Sequence, residues 1–311
     1  MNTALVSLEN VSKHYKNLQV LSSINLQLEE GEVLGLFGHN GAGKTTMMKL
    51  ILGVISADAG NVSVMAMKPD DKSAWHMREK MGYLPENVMF YEQLTGLEVL
   101  SYFARLKGQS LAHAKKLLEQ VGIAHAMKRQ VKTYSKGMRQ RLGLAQAFIG
   151  QPKLLLLDEP TVGLDPIATA EFYQSVDQLK SQGTSVILCS HVLPGVEQHI
   201  DRAMIISNGK TLAIGTIAQL RAKANLPSQI KPWALNGELL SACALASPLS
   251  RYENSLGYLS VPENEKLKVL RELLTNDKLT DITVESANLE QVYQYYLAQA
   301  RQTTLTNKVG A

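Results

Sequence analysis

One octapeptide constrains the fold of this chain more than any other feature. Residues 38–45 read Gly-His-Asn-Gly-Ala-Gly-Lys-Thr, which fits the pattern G-x-x-x-x-G-K-[ST]. The apolar run Val33–Phe37 precedes it and predicts a short buried strand, while Thr45–Leu52 has helical character. A glycine-rich loop between a strand and a helix turns its backbone N–H groups inward, where they can hold phosphate oxygens. The octapeptide therefore predicts an α/β fold with a phosphate-binding loop.

Each position of this loop has an expected role. Lys44 can reach the β- and γ-phosphates of a nucleotide, and the Thr45 hydroxyl can ligate Mg²⁺. The side chain of His39 is expected to be exposed, because backbone groups hold the phosphates there. A chance glycine-rich turn is the alternative, and the complete motif in its strand–helix context argues against it. The expected nucleotide-binding residues of the loop are Gly38, His39, Asn40, Gly41, Ala42, Gly43, Lys44, Thr45 and Thr46.

Two acidic residues follow a second buried strand. Four leucines at 154–157 lead directly into Asp158 and Glu159. Ligands bind beyond the carboxyl ends of strands in open α/β sheets, so Asp158 is expected at that edge. Asp158 would hold Mg²⁺ through water, and Glu159 is placed to accept a proton from an attacking water molecule. An acidic cap after a strand is the alternative, which the phosphate-binding loop makes the weaker one.

A histidine follows a third buried strand. The strand is predicted over Ser185–Cys189, and Ser190-His191 comes directly after it. His191 at such an edge could contact a γ-phosphate. A single histidine is as often a hydrogen-bonded structural residue, so the sequence leaves both readings open.

Composition limits the class of protein. The chain has 311 residues, of which 45% are hydrophobic and 19% charged, which predicts a packed core. Its two cysteines, Cys189 and Cys243, lie far apart, so no disulfide framework is expected. No signal-peptide pattern is present, and no apolar run approaches the roughly 20 residues that a membrane-spanning helix needs. If the protein works at a membrane, another chain must supply the spanning segments.

The pattern of the chain changes twice. Residues from about 86 to 150 are predominantly helical in pattern, and the character changes again near Asn225-Leu226-Pro227. We expect one domain over residues 1–224 and a small α+β domain over 225–311. In the second domain Arg251–Val261 is expected to be extended, Glu238–Ala246 and Leu289–Ala300 are expected to be helical, and the polar tail from Arg301 is expected to fray. The second domain could regulate or dimerise the protein, or dock a membrane partner.

Taken in order, these motifs resemble those of the ATP-binding subunits of ABC transporters. The resemblance covers about Leu5 to Leu220 and adds the signature-like run Tyr134-Ser-Lys-Gly-Met138 and the turn Gly163-Leu-Asp165. It implies a P-loop ATPase core with a β-rich N-terminal subdomain and a helical subdomain that carries the signature. It also implies an ATPase that uses ATP and Mg²⁺ at the cytoplasmic face of the inner membrane, peripheral to a permease.

The resemblance assigns further roles to residues of this chain. Tyr15 would stack on adenine, although local packing at a strand end remains an alternative. Glu159 would be the general base, and His191 would contact the γ-phosphate. Asp165 would lie at the interface of a homodimer that encloses two ATP molecules. Ser135 and Gly137 would bind the ATP that the phosphate loop of the other protomer holds.

Three positions depart from the family pattern. Glu86 stands where glutamine is usual, and a carboxylate there is expected to contact Mg²⁺. Lys136 stands where glycine is usual and Met138 where glutamine is usual. Lys136 either adds positive charge near the nucleotide of the other subunit or points to solvent.

Longer segments resemble one group within the family more closely. They include Tyr83–Val88, Thr133–Leu142 and Cys189–Glu197, and they resemble the NosF ATPases, which serve copper-site assembly in nitrous oxide reductase. This implies a permease and a periplasmic partner that handles copper or sulfur. A soluble ABC-type ATPase acting on nucleic acid or the ribosome is the alternative. Chains of that class usually carry two ATPase halves or long coiled-coil insertions, and this chain has neither, so no nucleic acid partner is expected. Its methionines and histidines form no Cys/His/Met cluster with metal-ligand spacing, so no transition-metal site is expected in this chain.

Overall fold

The computed structural model describes residues 4–191, 193, 195–234, 247–252, 254 and 257–309. The chain divides into two compact units, one up to Ile214 and one from Gly215. The sequence suggested a change at 224/225, ten residues later. The difference has a physical reason, because the helix Ile217–Ala224 packs on the last helix of the second unit. There the Tyr296 hydroxyl donates a hydrogen bond to the Leu220 carbonyl oxygen over 3.2 Å.

The first unit mixes strands and helices. Its strands are β1 Val6–Tyr15, β2 Leu18–Leu28, β3 Val33–Phe37, β4 Ala59–Val64, β5 Met81–Leu84, β6 Leu154–Asp158, β7 Ser185–Ser190, β8 Arg202–Ser207 and β9 Lys210–Gly215, the last residue of which begins the second unit. Its helices are α1 Lys44–Ile51, α2 Trp75–Glu79, α3 Gly96–Leu106, α4 Leu111–Gln120, α5 Lys136–Ala147 and α6 Pro166–Ser181.

The main sheet carries the site. Among the described residues it has six strands in the order β5-β6-β7-β3-β8-β9. The pairs β5–β6, β6–β7, β7–β3 and β3–β8 are parallel, as expected of strands that are buried on both faces. In this register Phe37 lies opposite Ser190 and Asp158 lies opposite Cys189. The carboxyl ends of β3, β6 and β7 therefore lie side by side.

A smaller antiparallel sheet, in the order β2-β1-β4, packs with α1 around the largest described core. The apolar face of α1 fills it with Met47, Met48, Leu50 and Ile51, each at most 1% exposed. A fully buried side chain of this kind contributes about 1.5–3 kcal/mol. Burial of this face fixes the start of α1, and with it the phosphate loop, against the sheet.

The helical segment lies between β5 and β6, and its helices have clear sequence signals. Thr95 and Glu98 form a reciprocal capping box at the start of α3, and Ser110 caps α4. Ser135 caps α5, which ends at Ala147. The first unit therefore has the expected α/β architecture with a helical insertion.

The second unit is α+β. It contains α7 Ile217–Ala224, β10 Ser228–Ala234, β11 Leu259–Val261, α8 Lys266–Leu273, β12 Leu279–Glu285 and α9 Leu289–Val309. Among the described residues of the extended stretch expected over Arg251–Val261, the strand begins at Leu259, and Ser247–Tyr252 forms a 3₁₀ helix. The helix expected over Glu238–Ala246 lies outside the described residues. Within the described part of the chain, no helix is both long and apolar enough to cross a membrane.

Candidate active site

The phosphate loop joins β3 to α1 with the backbone conformation that its glycines allow. Gly41 has φ +82° and Gly43 has φ +109°, in the region that favours glycine. A Cβ atom on Gly43 would be strained in this conformation, and it would lie 2.6 Å from a methyl carbon of Leu21 and 3.0 Å from the Val20 carbonyl oxygen, which favours glycine here. Lys44 is 6% exposed, and its ammonium donates to the Gly38 carbonyl oxygen over 2.6 Å. The loop curls around its own lysine.

The second component is a hydroxyl–carboxylate pair. Oγ1 of Thr45 donates to Oδ2 of Asp158 over 2.9 Å, which links the start of α1 to the end of β6. Asp158 is 2% exposed. Burial raises the pKa of the Asp158 carboxyl, and the negative charges of Glu159 and Glu86 add to this, while the Thr45 hydrogen bond opposes it. A cation at this place would relieve an unfavourable charge.

Glu159 is held in a strained backbone conformation. Its φ is +50°, which is uncommon for a residue with a Cβ atom. Its amide donates to the Cys189 carbonyl oxygen over 3.0 Å, which ties it to β7. Its carboxylate Oε2 lies 2.7 Å from Nδ1 of His191 and accepts the His191 amide over 3.2 Å. Oε1 is buried without a hydrogen bond, and the Lys44 ammonium lies 3.8 Å from it.

These groups fit Mg²⁺ and a nucleoside triphosphate. Gly41 has no atom within 4 Å of the position a Cβ would take, so the loop has room beside its backbone. The oxygen ligands of Thr45 and Asp158 suit Mg²⁺, which prefers hard oxygen donors. Oε1 of Glu159 is a buried acceptor without a hydrogen bond, and the Lys44 ammonium is 3.8 Å from it. Half of the His191 side chain is exposed, which leaves it open to the same space.

The structure also describes the surroundings of three other predicted residues. Both ring nitrogens of His39 form hydrogen bonds. Nδ1 lies 2.7 Å from the Asn40 carbonyl oxygen, and Nε2 lies 3.2 Å from Oγ of Ser207. Tyr15 is 45% exposed at the end of β1, with the Lys13 ammonium 5.8 Å from its ring centroid. Glu86 follows β5 and is exposed, yet its charge contributes to the raised pKa of Asp158.

The signature turn lies elsewhere. Oγ of Ser135 accepts the Met138 amide over 3.2 Å and begins α5, and Oδ1 of Asp165 accepts the Ala168 amide over 2.8 Å and begins α6. Both turns line one cavity of about 480 Å³. It is lined by Ser135, Lys136, Gly137, Gly163 and Asp165 among others, and none of its lining residues belongs to the described phosphate loop. Within one chain the predicted site is therefore in two parts.

Lys136 has a partner that the sequence did not suggest. A Cβ on Gly163, which has φ +83°, would lie 3.0 Å from both Cδ and Cε of Lys136. The aliphatic part of this lysine therefore lies against the Gly163 backbone.

Gln140 is a second residue that the sequence analysis did not identify. It is buried, and its amide nitrogen donates to the Pro160 carbonyl oxygen over 3.2 Å. A glutamine on an otherwise apolar helix face was the available signal for it.

Comparison with known proteins identifies the family. The family model described as ABC transporter matches residues 21–162. The ABC transporter ATP-binding protein YdbJ of Bacillus subtilis is 38% identical over 76% of this chain and 78% of its own length. The linearmycin resistance ATP-binding protein LnrL of Bacillus subtilis is 32% identical over 93% of this chain and 97% of its own.

Solved structures agree with this assignment. A structure described as the ATP-binding subunit of an ABC transporter superimposes with a TM-score of 0.66 at 30% identity. The match covers 70% of this chain and 92% of the other. The expected fold class is thus confirmed, together with the expected enzyme class. This chain belongs to the family of ABC transporter ATP-binding proteins and is an ATPase.

Proposed function

We propose that the protein dimerises around two Mg-ATP molecules and uses their hydrolysis to drive a membrane permease. The observation that carries this proposal is the convergence of Lys44, Asp158, Glu159 and His191 at the carboxyl ends of three adjacent strands. A phosphate-binding lysine, a metal-ligating carboxylate, a base and a histidine are the groups that phosphoryl transfer to water requires.

The chain's own residues divide the chemistry between them. Mg²⁺, when held by Thr45 and Asp158, would neutralise charge that develops on the β- and γ-phosphate oxygens. Lys44 would exchange the Gly38 carbonyl oxygen for phosphate oxygens. Glu159 would accept the proton of the attacking water through its unpaired Oε1. His191, bonded to the other oxygen, would fix the orientation of that carboxylate.

The divided site is the reason to propose a dimer. Ser135, Gly137 and Asp165 lie at the starts of two helices, where free amides favour an anion. They line a cavity to which their own phosphate loop contributes no described residue. A second copy would bring its own phosphate loop to this cavity. Each ATP would then be held by the loop of one protomer and the signature turn of the other.

The decisive experiment is Glu159→Gln in the purified chain. Loss of a general base lowers turnover by about 10²–10⁴-fold. We expect such a loss in steady-state phosphate release, together with a dimer in size-exclusion chromatography that needs Mg-ATP. Glu290→Gln, which neutralises an exposed glutamate of the second unit, is the control for charge removal. Wild-type turnover in Glu159→Gln would contradict the proposed base.

For the cargo, the motif resemblance to NosF ATPases supports copper or sulfur supply to nitrous oxide reductase through a permease and a periplasmic partner. The nearly full-length similarity to LnrL supports a second candidate, resistance to an antibiotic of the linearmycin kind. YdbJ and LnrL are both named as ATP-binding proteins, and the name of YdbJ specifies an ABC transporter. These names favour a transporter role over action on nucleic acid.

One genetic experiment separates the two cargoes. A strain lacking this chain would be measured for the copper content of its nitrous oxide reductase and for its sensitivity to linearmycin. Copper loss alone supports the maturation role, and sensitivity alone supports resistance.

Co-purification of the protein with a membrane permease tests its proposed place at the cytoplasmic face. Removing the second unit and measuring Mg-ATP-dependent dimerisation tests whether that unit dimerises the protein.

A further inference from the structure

A buried glutamine of α5 contacts the turn that follows the proposed general base. Gln140 is 6% exposed, and its amide nitrogen donates to the Pro160 carbonyl oxygen over 3.2 Å. Pro160 is also buried, and because proline has no N–H, its carbonyl is its one backbone group that can form a hydrogen bond. The Gln140 side chain therefore pairs with a backbone acceptor directly beside Glu159.

The turn holds Glu159 by its backbone. The Val162 amide donates to the Glu159 carbonyl oxygen over 3.3 Å, which closes a four-residue turn with Pro160 in its second position. On the other side, the Glu159 amide donates to the Cys189 carbonyl oxygen over 3.0 Å. Between these two bonds Glu159 has a φ of +50°, a strained conformation that its surroundings must maintain. A movement of the turn would therefore move Glu159.

The bond from Gln140 is made to the peptide unit that defines this kind of turn. Type I and type II turns differ in the orientation of their central peptide, which here joins Pro160 to Thr161, and a type II turn needs a positive φ at its third residue. The φ of Thr161 is not positive, so the turn is not of type II. The Pro160 carbonyl oxygen belongs to that central peptide. Gln140 therefore holds the peptide in its observed orientation.

Helix α5 lies along the segment that leads from this turn to α6. The position that a Cβ on Gly137 would take is 3.6 Å from the Gly163 carbonyl oxygen. One residue after Gln140, the Arg141 guanidinium lies 3.1 Å from the carboxylate of Glu171 on α6. The helix therefore has contacts with this part of the chain on both sides of Gln140. Since α5 begins at the signature turn, one helix connects the signature turn to the turn after the proposed base.

We propose that Gln140 is a positioning residue for ATP hydrolysis. Its amide holds the turn after Glu159 against α5, so that Oε2 of Glu159 stays 2.7 Å from Nδ1 of His191. The helix that is proposed to contact the partner's nucleotide thereby also aligns the base of its own site. The inference rests on the proposed role of Glu159. Gln140 acts through the turn and is not a catalytic residue.

Pairing of a buried carbonyl with no effect on catalysis is the competing explanation. It predicts that loss of the Gln140 amide lowers the Tm and leaves kcat unchanged. The positioning role predicts that kcat falls while KM for Mg-ATP is kept, because Lys44 and the phosphate loop are untouched.

The test is Gln140→Met, which keeps the length and most of the volume of the side chain but removes the N–H donor. We expect kcat for phosphate release to fall about tenfold, a change that corresponds to about 1.4 kcal/mol. KM for Mg-ATP should stay within about twofold of the wild type. Gln146→Met is the matched control: it makes the same exchange at a half-buried glutamine of the same helix and should leave kcat unchanged.

A second variant keeps the test decisive if Gln140→Met folds poorly. Gln140→Asn keeps a polar amide but is one methylene shorter, so it cannot reach the Pro160 carbonyl oxygen from the observed backbone position. The contribution of a typical hydrogen bond corresponds to a loss in kcat of at least about threefold for this variant.

The Glu159→Gln background shows which group Gln140 acts through. There Gln140→Met should cause no further loss of turnover, because residues that act through one group are not additive. Mg-ATP-dependent dimerisation of the double variant should stay within about threefold of that of Glu159→Gln alone, because Ser135 and Gly137 are unchanged.

The outcomes separate the two explanations. The positioning role is wrong if Gln140→Met and Gln140→Asn both keep kcat within about twofold of the wild type, whatever their Tm. It is also wrong if KM rises as kcat falls, or if the loss adds fully to that of Glu159→Gln. The base assignment is tested separately by Glu159→Gln alone, so its failure is visible whatever Gln140→Met does.

Discussion

Nδ1 of His191 lies 2.7 Å from Oε2 of Glu159, so the histidine that follows β7 fixes the carboxylate that follows the neighbouring strand β6. His191→Ala should lower kcat by about 10²-fold, because the carboxylate loses the group that orients it. ATP-dependent dimerisation should persist. His76→Ala, at an exposed histidine on α2, is the control. Phosphate release from His191→Ala at the wild-type rate would exclude this role.

Lys44 should control nucleotide affinity. Lys44→Ala removes a buried ammonium that would bind phosphate oxygens, and a hydrogen bond to a charged group contributes about 1.5–3 kcal/mol. We expect affinity for Mg-ATP to fall by about 10–150-fold in isothermal titration calorimetry. Lys49→Ala, at an exposed lysine on the next turn of α1, should bind ATP normally. An unchanged dissociation constant for Lys44→Ala would contradict the phosphate-loop assignment.

Asp158 should destabilise the protein when no metal is bound. Burial raises the pKa of its carboxyl in the folded state, so the folded chain binds more protons than the unfolded chain between the two pKa values. The Asp158 carboxyl therefore makes its full contribution to the free energy of unfolding at a pH below its pKa in the unfolded chain. That contribution is lost as the pH rises through its pKa in the folded chain. Asp158→Asn removes that loss, and its Tm without metal and nucleotide should exceed that of the wild type at pH 7.

The control for Asp158→Asn is the same comparison at pH 4. There a larger share of the wild-type carboxyl is protonated than at pH 7, so the difference in Tm between the two proteins should shrink. Mg-ATP should raise the Tm of the wild type more than that of Asp158→Asn, because the variant lacks the proposed metal ligand. Equal Tm values at pH 7 would contradict the expected effect of burial.

Lys136 should contribute little to the dimer through its charge. Its stem lies against the Gly163 backbone of its own chain. Lys136→Met keeps most of the stem and removes the ammonium, so Mg-ATP-dependent dimerisation in a Glu159→Gln background should stay within about threefold by analytical ultracentrifugation, a change of under 1 kcal/mol. A loss of tenfold or more would show that the ammonium contacts the partner's nucleotide.

Gly163→Ala tests the same contact from the other side. The added methyl would meet Cδ and Cε of Lys136 at 3.0 Å in a backbone conformation with φ +83°. A residue with a Cβ atom in this left-handed conformation costs about 1–2 kcal/mol. Thermal unfolding should show a lower Tm than the wild type, and Gly183→Ala, which has φ +91° but no neighbour within 4 Å, isolates the strain from the steric contact.

The sequence predicted the parts of the site that depend on local order. A buried strand, a glycine loop and a helix are adjacent in the chain, so Lys44 and Thr45 were placed correctly relative to β3. The neighbours of Asp158 followed from one rule, that parallel strands align their carboxyl ends. Both inferences needed only short-range patterns and the general behaviour of sheets.

Contacts between distant side chains could not be predicted in this way. The stacking of Tyr173 on His199 depends on how α6 packs on the segment after β7, and a rotation of α6 by one residue, about 100°, would remove it. The second unit shows the same limit. Leu289–Ala300 was expected to be helical with a frayed end, but α9 continues to Val309. A polar helix end carries little periodic signal, so its length was underestimated.

Because Glu159 has a positive φ, heat resistance and ATP turnover favour different residues at this position. Glycine would occupy that conformation without strain, so Glu159→Gly is expected to make the apoprotein more resistant to heat. The same exchange removes the carboxylate on which turnover is proposed to depend. A library screened only for thermal tolerance would therefore drift towards an inactive chain at this residue, and stability-guided engineering of this ATPase should leave position 159 unchanged.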